Sequence, residues 1–212
     1  MKFFSADFHG YHEKILASGF GKRPWNTIED MTQALVDNFN SKVSADDELY
    51  ILGDLFFKPN QRKDDIIKTV ASLKCKNIFI TPGNHDKKSQ LIDFGFKEAN
   101  IADSFEVVLF GIRFKCQHFQ FVEFMTDKDA RERPHLPFVR RATWEDTNEQ
   151  IKLLSGHVHE SWKLRPNNLN VGVDVFNYFP VSEDEIFDIF QDTNGFTGNF
   201  EKYNLGFGTG HE

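Results

Sequence analysis

Two hydrophobic periods alternate along the first hundred residues. Short apolar runs, Lys2-Phe3-Phe4-Ser5-Ala6, Glu48-Leu49-Tyr50-Ile51-Leu52 and Asn77-Ile78-Phe79-Ile80, have the length and continuity of buried strands. Between the first two, Ile28, Met31, Leu35 and Phe39 recur at helical spacing up to about Asn40, and Thr27 with Asp30 three residues on resembles a helix start. Ile66, Ile67, Val70 and Leu73 mark a second helix, and a short third one around Leu91 ends near Gly95. Strand, polar turn and helix therefore recur three times, which predicts parallel βαβ construction.

The second half changes period. Residues 105–110 and 112–116, separated by Gly111, predict a hairpin rather than a crossover. Residues 123–150 are charged, carry Pro134 and Pro137, and predict an irregular, lid-like insertion. Ile151-Lys152-Leu153-Leu154-Ser155 reads as another strand, residues 169–173 as one more, and residues 184–190 as a final short element. The Gly- and Asn-rich stretch from Asn194 is expected to be loosely ordered. The whole predicts one α/β domain, residues 1–193, with a tail at 194–212, built on a central sheet or two packed sheets flanked by helices.

Composition narrows this little. A chain of 212 residues with 40% hydrophobic content can bury a sizeable core, and its 24 Phe read mostly as core filling. The formal charge of −7 argues against a broad basic surface of the kind that tracks nucleic acid, and an acidic excess is partly what a cation-binding site produces. Cys75 and Cys116 sit in apolar contexts and read as small buried hydrophobes. With no signal peptide or long apolar segment, a reduced, cytoplasmic protein that does not enter a membrane is expected.

The chemistry lies at the strand ends. Asp7 and His9 follow the first strand, Asp54 the second, and Asn84, His85 and Asp86 the third; His118 follows the hairpin, and His157 and His159 the strand after it. In a mostly parallel sheet the carboxyl ends share one edge, so these residues can converge on one cleft. The alternate spacing in Asp7-x-His9 and His157-x-His159 predicts that the two side chains of each pair point to the same side of an extended segment. Gly-Asp by itself is a common turn, and lone histidines such as His135 and His211 read as structural.

The ordered set resembles the calcineurin-like metallophosphoesterase superfamily: Asp7-x-His9, Gly53-Asp54, Gly83-Asn84-His85-Asp86, His118, and Gly156-His157-x-His159 stand where its five motifs do. His12, Arg23-Pro24-Trp25 and Asn170-Val171-Gly172-Val173-Asp174-Val175 are similar to a small single-domain bacterial and phage branch, although His118-Phe119-Gln120 departs from that branch's His-Tyr-Pro. The resemblance implies a four-layer sandwich of mixed sheets flanked by helices. It implies two divalent ions (Mn, Fe, Ni or Zn, with Mn the first choice), one on Asp7, His9 and His159, the other on Asn84, His118 and His157, with Asp54 bridging. A hydroxide between the ions would attack phosphorus, His85 would serve the leaving group, and Asp86 would hold the His85 ring. Arg23 would pair with a phosphate oxygen and His12 would sit beside the metals.

The implied substrate is a small phosphoester or nucleotide, with phosphodiesters preferred. Gly53-Asp54-Leu55-Phe56-Phe57 lacks the Gly-Asp-x-x-Asp-Arg-Gly of the protein phosphatases. Two other readings stay open: a nuclease, which the acidic total disfavours, and a non-catalytic scaffold, which retention of His85 disfavours.

Overall fold

The computed structural model describes residues 1–16, 22–57, 59–124, 149–199 and 201–203. Strands β1 (Lys2–Ser5), β2 (Glu48–Ile51) and β3 (Asn77–Ile80) pair in parallel in the order β3-β2-β1, with Lys2 opposite Glu48 and Glu48 opposite Asn77. The connections carry α1 (Ile28–Lys42) and α2 (Lys63–Ser72), and α3 (Lys88–Asp93) follows β3. Thr27 caps α1 as its sequence suggests, its hydroxyl accepting the Asp30 N–H at 3.0 Å.

A second mixed sheet has the order β4-β5-β6-β8-β7. β4 (Phe105–Leu109) and β5 (Ile112–Cys116) form the expected hairpin. Its two-residue turn places Phe110 and Gly111 at φ 51° and 80°, the left-handed pair that matches strand twist. β6 (Lys152–Ser155) lies parallel to both β5 and β8 (Asn168–Asn170), and β7 (Leu164–Arg165) runs antiparallel to β8. The strand expected over 169–173 ends early, because Asn170 folds its amide back. Its Oδ1 accepts the Gly172 N–H at 2.8 Å, while Nδ2 donates to the His159 and Trp162 carbonyls at 2.7 and 2.8 Å. β9 (Val181–Ser182) then returns to the first sheet, antiparallel to β1, and leads directly into α4 (Glu183–Asp192).

The period of two along β1 and β2 sorts side chains into two cores. Phe3, Leu49 and Ile51 pack with Leu35, Val36 and Phe39 of α1 and Ile66 of α2. Phe4, Tyr50 and Leu52 face the other way, into a core shared with Cys116, Leu154 and Leu169 of the second sheet and Ile186 and Ile189 of α4. Two mixed sheets flanked by helices are therefore the architecture. The bridge between Ala6 and Gly172 links the sheets where β1 and β8 end.

Both cysteines are buried, as expected. The stretch after Asn194 corrects its expectation over residues 194–199. Phe196 is fully buried, 5.3 Å from the Phe190 ring, and its carbonyl accepts the Asn167 N–H at 3.0 Å. Most of the lid-like segment, residues 125–148 with His135, and residues 204–212 with His211, lie outside the described residues. Among the described residues no helix is long and apolar enough to cross a membrane.

Candidate metal centre

Five strand ends bring the sequence-selected residues to one place. β1 delivers Asp7 and His9, β2 Asp54, and β3 Asn84 and His85; from the second sheet β5 delivers His118 and β6 His157 and His159. Backbone bonds hold these loops side by side past their strands: Asp7 N–H to the Gly53 carbonyl at 3.0 Å, His9 N–H to that of Asp54 at 2.9 Å, Gly156 N–H to that of His118 at 2.9 Å.

Asp54 sits in the middle. Its Oδ2 lies 3.5 Å from His118 Nε2, 3.6 Å from His9 Nε2 and 4.0 Å from His85 Nε2. Asp7, His9 and His159 gather ligand atoms within 4.8 Å of one another, and so do Asp7, Asp54 and His118. Asn84 Oδ1 lies 3.3 Å from His118 Nε2. His157 approaches with its backbone, whose N–H donates to both Asp7 oxygens at 3.1 and 2.9 Å; its ring centroid is 5.2 Å from that of His118.

The cluster fits a divalent cation. His9 is 2% exposed, yet neither ring nitrogen has a hydrogen-bond partner, and its nearest carboxylate oxygen is beyond hydrogen-bond reach. A cation shared by the two groups would satisfy both. His118 Nδ1 lies 2.7 Å from the Leu52 carbonyl and His159 Nδ1 2.9 Å from Asp174 Oδ2, so hydrogen bonding assigns the ring proton to Nδ1 and leaves each Nε2 lone pair facing the cluster. Imidazole, carboxylate and amide oxygen together suit first-row divalent ions.

Of the four groups with directional shifts, His9 and Asp54 are pushed toward their metal-binding protonation states and Asp7 and His159 away from them, as a buried cluster without a neutralising cation dictates. Burial drives His9 well below the usual imidazole range. Burial raises Asp7 against the pull of His159 and His118. At Asp54 burial opposes ionisation, but His118 and then His85 hold the carboxyl low. At His159 burial favours the neutral ring, while Asp7 and then Asp174 outweigh it and raise the group.

The calcineurin-like phosphoesterase family model matches residues 3–204. The chain belongs to that family. It is 26% identical over 188 residues to an uncharacterized protein of Methanocaldococcus jannaschii, covering 85% of this chain and 86% of that one. A crystal structure of a protein of unknown function from Aquifex aeolicus shares the fold, with a TM-score of 0.62 at 22% identity over 89% of this chain and 98% of that one.

Three sequence expectations for this phosphoesterase are corrected. The motif pairs are not extended: Asp7, His9, Asp54, His157 and His159 have φ of 57°, 50°, 55°, 73° and 47°, in the left-handed region that non-glycine residues rarely occupy. Clustering of such backbone at a site is characteristic of function. Asp86 does not hold the His85 ring. Its carboxylate accepts the backbone N–H groups of Asp54, Gly83 and Leu55 at 2.6, 3.0 and 3.2 Å, tying the second motif to the third. Burial, with Asp54 beside it, pushes this carboxyl up to about 7.

Arg23 does not face a substrate either. It is 2% exposed, and every guanidinium nitrogen is engaged. Nε and NH2 donate to Asp174 at 2.8 and 3.0 Å, NH2 also to the Asp7 carbonyl at 2.6 Å, and NH1 to the Phe8 carbonyl at 2.7 Å. His12 does reach the site. Its ring lies 5.1 Å from that of His9 and 6.2 Å from that of His85, stacked at 3.8 Å on Phe57. Burial, then His85, lowers it to about 4, so it is neutral at physiological pH.

Asp174 is the member whose role the sequence reading missed. Its signal was an acid inside Val171-Gly172-Val173-Asp174-Val175, where flanking valines demand burial and burial of a carboxylate demands partners. Burial opposes its charge, but Arg23 and His159 hold it down at about 2.

Proposed function

We propose that this phosphoesterase hydrolyses phosphodiester bonds of nucleotide-type substrates at a dinuclear metal site. The observation that carries the reading is the pair of ligand groups sharing Asp7, with Asp54 Oδ2 3.6 Å from His9 Nε2 and 3.5 Å from His118 Nε2, and His85 beside Asp54 and outside both groups. Asp7, His9 and His159 would hold one ion, Asn84, His118 and His157 the other, with Asp54 between them and manganese the first candidate. Two such ions, when bound, activate water near neutral pH and offset the charge of the phosphoryl oxygens.

The protein's own groups do the rest. His85 is one third exposed, so its ring can reach a bound ester, and its backbone N–H donates to Asp54 Oδ1 at 2.9 Å, which fixes the turn. From there His85 protonates the leaving alkoxide, a step worth about 10²–10⁴-fold in rate. Neutral His12 lines the same rim and donates a hydrogen bond to the substrate. Diester preference rests on the second motif, which continues as Leu55-Phe56-Phe57 with no further acid or arginine. A small nucleotide is preferred to nucleic acid because the net charge is −7.

Hydrolysis of bis(p-nitrophenyl) phosphate with Mn²⁺, alongside elemental analysis, tests the assignment. His85→Ala should keep its metal content and lose about 10²-fold or more in turnover. Asn84→Ala should lose metal first. Undiminished turnover in His85→Ala would remove His85 from the mechanism.

A further inference from the structure

Arg23 and Asp174 stand 151 positions apart, have buried side chains, and are joined by two charge-assisted bonds at 2.8 and 3.0 Å. A buried ion pair of this kind is poor evidence for stability, since apolar residues of equal volume often serve as well. Its placement is more informative. Each partner spends its remaining bonding capacity on the metal centre: Asp174 Oδ2 accepts from His159 Nδ1 at 2.9 Å, while Arg23 donates to the carbonyls of Asp7 and Phe8 at 2.6 and 2.7 Å. Those carbonyls belong to the left-handed turn that carries Asp7 and His9, at φ 57° and 50°.

We infer that Arg23 and Asp174 are the positioning residues of the centre, acting through His159 and through the backbone between Asp7 and His9. The inference rests on the dinuclear reading above. Asp174 fixes the proton of His159 on Nδ1, so Nε2 presents its lone pair to Asp7 and His9. Arg23 holds a turn that the φ preferences of Asp and His would otherwise let relax. Arg23 also keeps Asp174 from acting as a ligand. Asp174 lies in a possible metal group with His159 and Glu160, but both its oxygens are committed to the guanidinium, and Oδ2 to His159 as well. The pair is neutral overall, so the two formal charges of Asp7 and Asp54 remain for the cations.

Two substitutions separate the parts. Asp174→Asn preserves shape but can turn an amide N–H toward His159, which moves the ring proton to Nε2 and removes the lone pair. Arg23→Lys keeps the charge but cannot reach three acceptors with one ammonium. The readouts are Zn²⁺ affinity by calorimetry, and the position of the His159 ring proton by ¹⁵N NMR in metal-free protein at pH 9.

Asp174→Asn should move the proton and weaken Zn²⁺ binding about 10- to 100-fold. Arg23→Lys should leave the proton in place and weaken binding about tenfold. A wild-type His159 protonated on Nε2 would overturn the inference whether or not either variant folds. So would unchanged Zn²⁺ affinity in a folded Asp174→Asn protein. A wild-type protein that takes up no Zn²⁺ or Mn²⁺ would sink the dinuclear reading instead, a result the proton position registers separately.

Discussion

Gly53 and Gly83 lie where the second and third motifs touch, and single atoms decide what either position tolerates. A Cβ on Gly83 would stand 2.6 Å from the Asp54 nitrogen and 2.8 Å from Asp54 Cγ, and backbone cannot swing aside as a side-chain tip can. Gly53 adds a φ of 84°, and a Cβ there would meet His118 Nδ1 at 2.5 Å. Gly83→Ala should therefore cost about 3 kcal/mol or more and disturb Asp54 directly. Gly111 has a φ of 80° but no atom within 4 Å of its added Cβ, so Gly111→Ala should cost only about 1–2 kcal/mol. Urea denaturation of the two variants measures the difference, and equal losses would show that crowding at the motif contact is not what selects glycine. At this scale the sequence was a good guide to identity and a poor one to role. Asp7, His9, Asp54, His118 and His159, which the fold gathers into candidate ligand groups, could be picked out from the sequence because donor atoms reside in the side chain itself. Arg23 and Asp86 were misread because a charged group's role depends on its partner, and theirs are backbone groups and a distant aspartate.

Among the elements, α4 shows how a short helix is held against the first sheet. Ser182 and Glu185 form a reciprocal capping box, with the Ser182 hydroxyl accepting the Glu185 N–H at 3.2 Å and Glu185 accepting the Ser182 N–H at 2.8 Å. Ser182→Ala should cost about 1 kcal/mol, read by thermal unfolding. Glu185 also receives the Lys42 ammonium at 2.7 Å. Burial works against its ionisation, but Lys42 and Ser182 lower its pKa below the ordinary 4.5. A depressed carboxyl contributes stability above its unfolded pKa and loses it as pH falls through the folded one. Glu185→Gln should therefore reduce stability at neutral pH and converge with wild type in acid, a course followed by melting temperatures from pH 7 to pH 3. β9, two residues long and paired with β1, was unreadable as a strand because so short a run has no period.

For the whole molecule, the candidate centre draws its residues from both sheets. Asp7, His9, Asp54 and Asn84 come from the first sheet, His118, His157 and His159 from the second. Metal bound by both should therefore stabilise the docked arrangement. Mn²⁺ at about 100 times its dissociation constant should add about 2.7 kcal/mol, and chelation should lower the melting temperature accordingly. A melting temperature indifferent to EDTA and Mn²⁺ would contradict a site spanning both sheets. Fully buried Phe196 packs on Phe114 of the second sheet and on Phe190 of α4, with ring centroids 6.0 and 5.3 Å away. Phe196→Ala should cost about 3–5 kcal/mol, as expected if residues 194–199 belong to the domain's packing.

The amino-acid sequence by itself determined the three parallel strands, the Thr27 cap, the hairpin at Gly111 and the inventory of ligand-type residues at strand ends. Each is a local property: a period of two or 3.6, a cap three residues from its partner, a donor atom on a side chain. Tertiary structure decided the left-handed backbone of the motif loops, the bracing role of Asp86, the burial of Phe196 and the union of Arg23 with Asp174. These depend on which groups meet when the two sheets pack. A guanidinium on the loop before α1 and a carboxylate beyond β8 carry nothing in their own neighbourhoods that names the other.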